Sequence, residues 1–153
     1  MPPKFYHGSN AIFSAFEEGV ETRFHLLGKG IYFYQKWRSA LSYGKNLYEI
    51  RPPKGLKIVP LDFQLADADL LEIFPNVEMP DMVGISKPLW WATDGWNIIG
   101  WQRQITIEKI VSFLIKHYDY DGMLADYPNG GLVLVLWRGY TALKPRLIEP
   151  PRK

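Results

Sequence analysis

The stretch formed by residues 28–44, GKGIYFYQKWRSALSYG, predicts a strand, a turn and a short helix in succession. Residues 31–34 are β-branched and aromatic, which is typical of a strand. Residues 36–43 place small side chains among larger ones, and Gly44 can end the helix that this pattern predicts. We therefore expect a strand, turn and helix unit early in the chain, with the other elements packed around it.

Outward from this unit, strand patterns stand at both ends of the chain and helical patterns lie between them. Further strands are predicted at residues 5–7, 47–51, 56–61, 123–125 and 132–137. Helices are predicted at residues 65–74 and 107–118, the second with Thr106 as N-cap, and loops at residues 75–88 and 126–131. This order predicts an α+β fold in a single domain, residues 1–153, with a flexible tail at residues 145–153.

The composition excludes several classes of protein. The chain of 153 residues contains no Cys, which rules out disulfide scaffolds, thiolate nucleophiles and Cys-ligated zinc. Its formal net charge of +2 is too small to indicate nucleic acid, and the basic cluster of Lys144, Arg146, Arg152 and Lys153 is interpreted as a solvated end. Aromatic residues make up 15% of the chain. They favour either a ring-rich core or a groove for a flat ligand, and the segment from Trp90 to Trp101 suits both.

Familiar signatures of catalysis and export do not occur in the sequence. Phe33 stands where a dinucleotide-binding glycine motif needs Gly, and the three His residues have no metal-ligand spacing, so no metal site is expected. The N-terminus lacks the pattern of a signal peptide, and no apolar run approaches the length of about 18 residues that indicates a membrane span. We expect a soluble, cytoplasmic protein, or one that is delivered into a host cell.

Three short blocks in the first third of the chain belong together. They are FYHGS at residues 5–9, GKGIYF at residues 28–33 and ALSYG at residues 40–44. In this order and spacing they resemble the His-Tyr class of ADP-ribosyltransferases, which includes the poly(ADP-ribose) polymerases and the diphtheria-type toxins. The resemblance implies an ADP-ribosyltransferase-like domain in which two mixed or antiparallel sheets pack together with flanking helices.

The resemblance also implies NAD⁺ as substrate and a role for each matching residue. The nicotinamide, a flat cationic ring, lies between Tyr32 and Tyr43, and each such contact is worth about 0.5–2 kcal/mol. His7 bonds the adenosine ribose, and the backbone of Gly8 bonds the nicotinamide carboxamide. The resemblance also implies that Ser9 and Ser39 form additional hydrogen bonds in the site. Gly28 and Gly30 would allow the loop to turn tightly.

One family feature is missing from the expected place. Full transferases of the family carry a Glu at the start of a late strand, but Gly131 or Leu132 stands there and residues 132–137 contain no acid. The loss of such an electrostatic partner costs a rate factor of about 10²–10³. Either the protein transfers a single ADP-ribose without this Glu, or Asp126 or Glu49 supplies the carboxylate, or the domain binds NAD⁺ or ADP-ribose without transfer.

The function predicted on this basis is that of an NAD-dependent mono-ADP-ribosyltransferase, with His7, Tyr32 and Asp126 as catalytic residues. Its acceptor is expected to be a macromolecule, a protein rather than a nucleic acid, as for a toxin, an effector or a phage-type modifier. The alternative is a catalytically inactive NAD⁺ or ADP-ribose-binding module that acts through a protein partner. A purely structural aromatic domain, with the motif arising by chance, is the third interpretation.

Overall fold

A computed structural model describes residues 3–17, 21–25, 28–60, 63, 68–69, 72, 103–127 and 131–151. The predicted helix at 65–74 lies mostly outside these residues, and the loop at 75–88 and the segment from Trp90 to Trp101 lie wholly outside them. The described strands are β1 Phe5–Ser9, β2 Arg23–His25, β3 Gly28–Tyr34, β4 Asn46–Ile50, β5 Ile58–Val59, β6 Gly122–Tyr127, β7 Gly131–Leu136 and β8 Arg146–Ile148. The helices are α1 Trp37–Leu41 and α2 Arg103–Tyr118, with a short 3₁₀ helix at Tyr140–Ala142. The predicted α+β class is confirmed.

The strands form one hydrogen-bonded sheet in the order β5-β6-β7-β3-β1-β4-β8, with β2 paired to β3. The short β5 runs parallel to β6, and the other pairs are antiparallel. The two halves of the sheet meet where β1 pairs with β3 at Tyr6 and Tyr34. The prediction of two packed sheets is therefore not confirmed by the described residues.

The sheet buries apolar side chains on both faces, as the alternation of side chains along its strands requires. Tyr32 and Tyr34 of β3 pack with Ala40 of α1 and with the apolar stripe of α2 on one face. Ile31 and Phe33 pack on the other face, in a cluster that includes Phe5, Phe16, Leu134 and Leu136. The two faces therefore differ, because α1 and α2 cover the first and the ring-rich segment around Phe16 covers the second.

Three local predictions are corrected by the structure. Helix α2 begins at Arg103, so Thr106 lies within the helix and is not its N-cap. Asp126 lies in β6, where it pairs with Leu132, and not in a loop. The predicted flexible tail contains β8, whose residues pair with β4, so residues 146–148 are part of the sheet. Each correction depends on strand pairing or helix packing, which cannot be predicted from a local sequence pattern.

The C-terminal end of α2 is tied to neighbouring segments through polar contacts. The hydroxyl of Tyr118 donates a hydrogen bond to Asp69, and this bond is the main reason why the pKa of Tyr118 is raised from 10.0 to about 12. Arg138 contacts both Asp119 and Asp121, and these hydrogen bonds raise its pKa. Within the described part of the chain, no helix is long and apolar enough to cross a membrane.

Candidate ligand pocket at the end of β1

A cavity of about 330 Å³ opens where β1 ends and the chain turns away from the sheet. Its volume is at the lower end of the range for small-molecule pockets, which is about 300–1,000 Å³. The structure thus brings together four residues that the sequence predicted to lie in one site, His7, Gly8, Ser9 and Tyr43. The described residues that line it are His7, Gly8, Ser9, Asn10, Ala11, Glu21, Thr22 and Tyr43.

His7 forms the buried wall of this cavity, and both of its ring nitrogens have partners. Nδ1 lies 2.8 Å from the carbonyl oxygen of Tyr32, and Nε2 lies 2.6 Å from Oε1 of Glu21. Because a carbonyl oxygen can only accept, Nδ1 carries the hydrogen and donates it to Tyr32. The 2.6 Å separation between Nε2 and Oε1 of Glu21 is that of a hydrogen bond, so the two side chains hold each other in place.

Aromatic rings surround the imidazole on the side away from the cavity. The ring centroids of Phe16 and Phe33 lie 5.3 Å and 5.5 Å from that of His7, and Phe13 lies at 6.3 Å. Such an apolar shell lowers the local dielectric and strengthens the contact between His7 and Glu21. A ligand hydroxyl can bond Nε2 of His7 only if the Glu21 carboxylate moves aside.

Glu21 is the site residue that sequence reasoning missed. Its side chain is 15% exposed and is the carboxylate that the described cavity lining contains. The signal in the sequence was the group of acids at positions 17, 18 and 21. In the structure, one of these acids faces a buried His. The sequence does not reveal this contact, because the two residues are 14 positions apart.

The two tyrosines expected to sandwich a ring do not face each other. Tyr32 is 1% exposed, packs in the core between β3 and the helices, and donates its hydroxyl hydrogen to the carbonyl of Gly28. Tyr43 is 38% exposed and stacks on Tyr34, with centroids 5.1 Å apart and planes at 13°. Tyr43 therefore borders the cavity, whereas Tyr32 reaches it only through the carbonyl group that holds His7.

The glycines of the motif have packing roles in this structure. A Cβ on Gly8 would lie 1.8 Å from the carbonyl oxygen of Ala40, so α1 can approach β1 only because Gly8 has no side chain. A Cβ on Gly30 would lie 2.4 Å from the carbonyl oxygen of Leu136 on β7. Gly28 has a φ of 94°, a conformation that residues with a side chain rarely adopt.

The remaining predicted site residues lie away from the cavity lining. Ser39 is in α1, and its carbonyl accepts a hydrogen bond of 2.6 Å from the Ser42 hydroxyl. Asp126 is exposed on β6, and Glu49 lines a different cavity, so the structure brings neither carboxylate to His7. At the position of the missing family Glu, Gly131 begins β7 with a φ of 72°.

Comparisons with known proteins identify a shared fold, but they identify no family. No protein-family model matches the chain, and no curated protein matches it. A solved structure that does match is the crystal structure of an anti-CRISPR protein, with a TM-score of 0.51 and 17% sequence identity. The match covers 95% of this chain and 94% of that one, so the two chains share a fold over nearly their whole lengths.

This likeness corrects the predicted function. The sequence predicted an NAD-cleaving mono-ADP-ribosyltransferase, but the solved structure that shares the fold is that of an anti-CRISPR protein. The geometry agrees with the correction in two respects. Tyr32 is buried in the core, and both ring nitrogens of His7 already have protein partners, Nδ1 the carbonyl of Tyr32 and Nε2 the carboxyl group of Glu21.

Proposed function

We propose that the protein is an inhibitor of CRISPR immunity that acts by binding a protein of the immune system it blocks. The observation that carries this proposal is the fold shared with an anti-CRISPR protein, which extends over 95% of this chain and 94% of the other. Coverage of this extent in both directions means that no large domain distinguishes the two chains. Such an inhibitor would act in the cytoplasm of a bacterial cell, where CRISPR immunity operates.

The test is phage infection of immune bacteria that express the protein. In a panel of hosts whose CRISPR systems target the infecting phage, we expect plaque formation to return in at least one host to the level seen without a targeting spacer. The matched control is the same vector in a host with a non-targeting spacer, where the protein should change nothing. Unchanged immunity across the panel, with the protein present in folded form, would contradict the proposal.

NAD⁺ binding is a separate proposal, which the lining of the pocket supports. Residues from two of the three motif blocks, His7, Gly8, Ser9 and Tyr43, border one cavity although they are up to 36 positions apart in sequence. Their convergence is what an ADP-ribosyltransferase-like arrangement of these blocks would give. The ring of Tyr43 is exposed enough for a flat ligand to stack on it.

Calorimetric titration with NAD⁺ tests this second proposal. Tyr43→Ala is expected to weaken binding by a factor of about 2–30, the equivalent of one ring contact of about 0.5–2 kcal/mol. Leu147→Ala, at another exposed apolar side chain on β8, serves as control and should bind like the wild type. Equal affinity of Tyr43→Ala and wild type would contradict a ligand on this ring. Nicotinamide released in the same samples would show the enzyme activity that the sequence predicted.

A further inference from the structure

A second and larger cavity lies at the other end of β4 and is rich in positive charge. Its volume is about 590 Å³, and it lies between the chain that follows β4 and the chain that leads into β8. We call it the basic cleft, and it is lined by Glu49, Arg51, Pro53, Ala142, Leu143, Lys144 and Arg146. Three cationic side chains against one carboxylate make it a candidate site for an anionic partner.

Glu49, the one carboxylate in the described lining of the basic cleft, is already neutralised. Glu49 is 8% exposed, and its Oε1 lies 2.9 Å from a guanidinium nitrogen of Arg146, its partner across the β4 and β8 pair. Its Oε2 lies 3.8 Å from Nζ of Lys4. Because two cations share this buried acid, Glu49 holds the Arg146 side chain, which is 71% exposed, at the rim without repelling an incoming anion.

Among the described residues, no acid forms a salt bridge with either of the other two cations of the basic cleft, Arg51 and Lys144. Both of these residues are exposed. Two unpaired cations in a concave surface produce a local positive field, although the whole chain has a net charge of only +2. This field favours an acidic ligand at this cleft over other parts of the described surface.

The strand beside the basic cleft can also take an extended chain. In the sheet order of the described residues β8 is the end strand, with β4 on its one paired side. Its central residue Leu147 is 50% exposed and lies on this end strand. An end strand offers backbone hydrogen bonds to an added strand, and an exposed Leu offers it an apolar contact.

The shape of the site favours a protein segment over a nucleic acid. A double-stranded nucleic acid spreads its phosphates along a rod and is bound by a long basic stripe, whereas these cations line one concave cleft. A carboxylate side chain can bond the planar guanidinium group of Arg51 with two hydrogen bonds, whereas a guanidinium nitrogen of Arg146 is already bonded to Glu49. The exposed Leu147 adds a contact that a sugar-phosphate backbone does not use.

We propose that the basic cleft binds an acidic, extended segment of the protein that this inhibitor blocks, with carboxylates against Arg51 and Lys144 and an apolar side chain against Leu147. The identity of the binding partner rests on the proposed inhibitory function. The preference of the cleft for acidic ligands does not rest on that function, since it follows from the side chains themselves. The charge preference and the inhibitory function can therefore be tested separately.

The first measurement is fluorescence anisotropy with a labelled glutamate-rich peptide that contains one Val. The double variant Arg51→Glu/Lys144→Glu is expected to bind it at least about tenfold more weakly than the wild type, because close pairs of like charge replace attractive ones. The double variant Lys29→Glu/Lys116→Glu undergoes the same change in net charge at exposed sites outside the cleft and should bind like the wild type. Both variants keep the contacts of Glu49, so both should fold, which circular dichroism will check.

A single-stranded oligonucleotide of the same length is the competing probe. The proposal is overturned if the oligonucleotide binds more tightly than the peptide, if no peptide binding is detected, or if both double variants lose it equally. Raising the salt concentration should weaken peptide binding, because the Debye length falls from about 10 Å at 0.1 M to about 3 Å at 1 M.

The infection assay then tests the role of the basic cleft separately from the inhibitory function. If the wild type restores plaques and Arg51→Glu/Lys144→Glu does not, while the Lys29 and Lys116 control does, the basic cleft contacts the target. If both double variants restore plaques, the cleft inference is wrong and the inhibitory function stands. If the wild type never restores plaques, the inhibitory function fails, and the peptide measurement alone decides whether the cleft binds acidic segments.

Discussion

Replacement of Gly8 by Ala is expected to lower the free energy of unfolding by about 3 kcal/mol, the upper end of the cost of overpacking a core. The added Cβ would lie 1.8 Å from the carbonyl oxygen of Ala40 and 2.7 Å from its carbonyl carbon. Both are backbone atoms, so no rotamer change can relieve the clash, and α1 must move away from β1. Urea unfolding followed by circular dichroism should show a lower midpoint with an unchanged slope.

Gly55→Ala is the matched control for this substitution. A Cβ at Gly55 would meet no atom within 4 Å, and its φ is not in the left-handed region. The same chemical change is therefore expected to raise stability by about 0.4–1 kcal/mol through the unfolded chain. If Gly8→Ala were as stable as the wild type, α1 would not pack on β1 as the structure shows, and ligand contact would remain the reason for a glycine at this position.

Local elements of the fold could be predicted because their signals lie within a few residues. The β-branched and aromatic side chains of residues 31–34 predicted the centre of β3, and the small residues after Lys36 predicted α1. The apolar stripe of residues 107–118 predicted most of α2. The strand β8 was missed because a segment of three residues has almost no pattern, and its formation depends on pairing with β4.

The candidate pocket was predictable in part for the same reason. His7, Gly8 and Ser9 are adjacent, and Tyr43 follows the helix that packs on Gly8, so these residues meet through one short-range contact between elements. The position of Tyr32 could not be predicted, because alternation shows that it shares a face with Tyr34 but not that α1 and α2 cover this face. Glu21 could not be assigned, because its segment lacks periodicity.

Tyr32→Ala is expected to destabilise the fold by about 3–5 kcal/mol, the usual cost of removing a large buried aromatic ring. The side chain is 1% exposed and lies in the core between β3 and the two helices. Its removal leaves a cavity in the centre of the sheet and takes away the donor to the carbonyl of Gly28. The thermal midpoint and the urea midpoint should both fall well below those of the wild type.

Two matched variants separate this effect from a role in binding. Tyr32→Phe keeps the ring and loses only the hydroxyl, so it should cost about 0.5–1.5 kcal/mol. Tyr43→Ala removes an exposed ring that stacks on Tyr34 and should also cost only about 0.5–1.5 kcal/mol. If Tyr32→Ala were as stable as Tyr43→Ala, the ring of Tyr32 would not be in the core. If the predicted difference is observed, loss of ligand binding in Tyr32→Ala would report on folding, and Tyr43 would be the aromatic residue whose substitution tests the pocket itself.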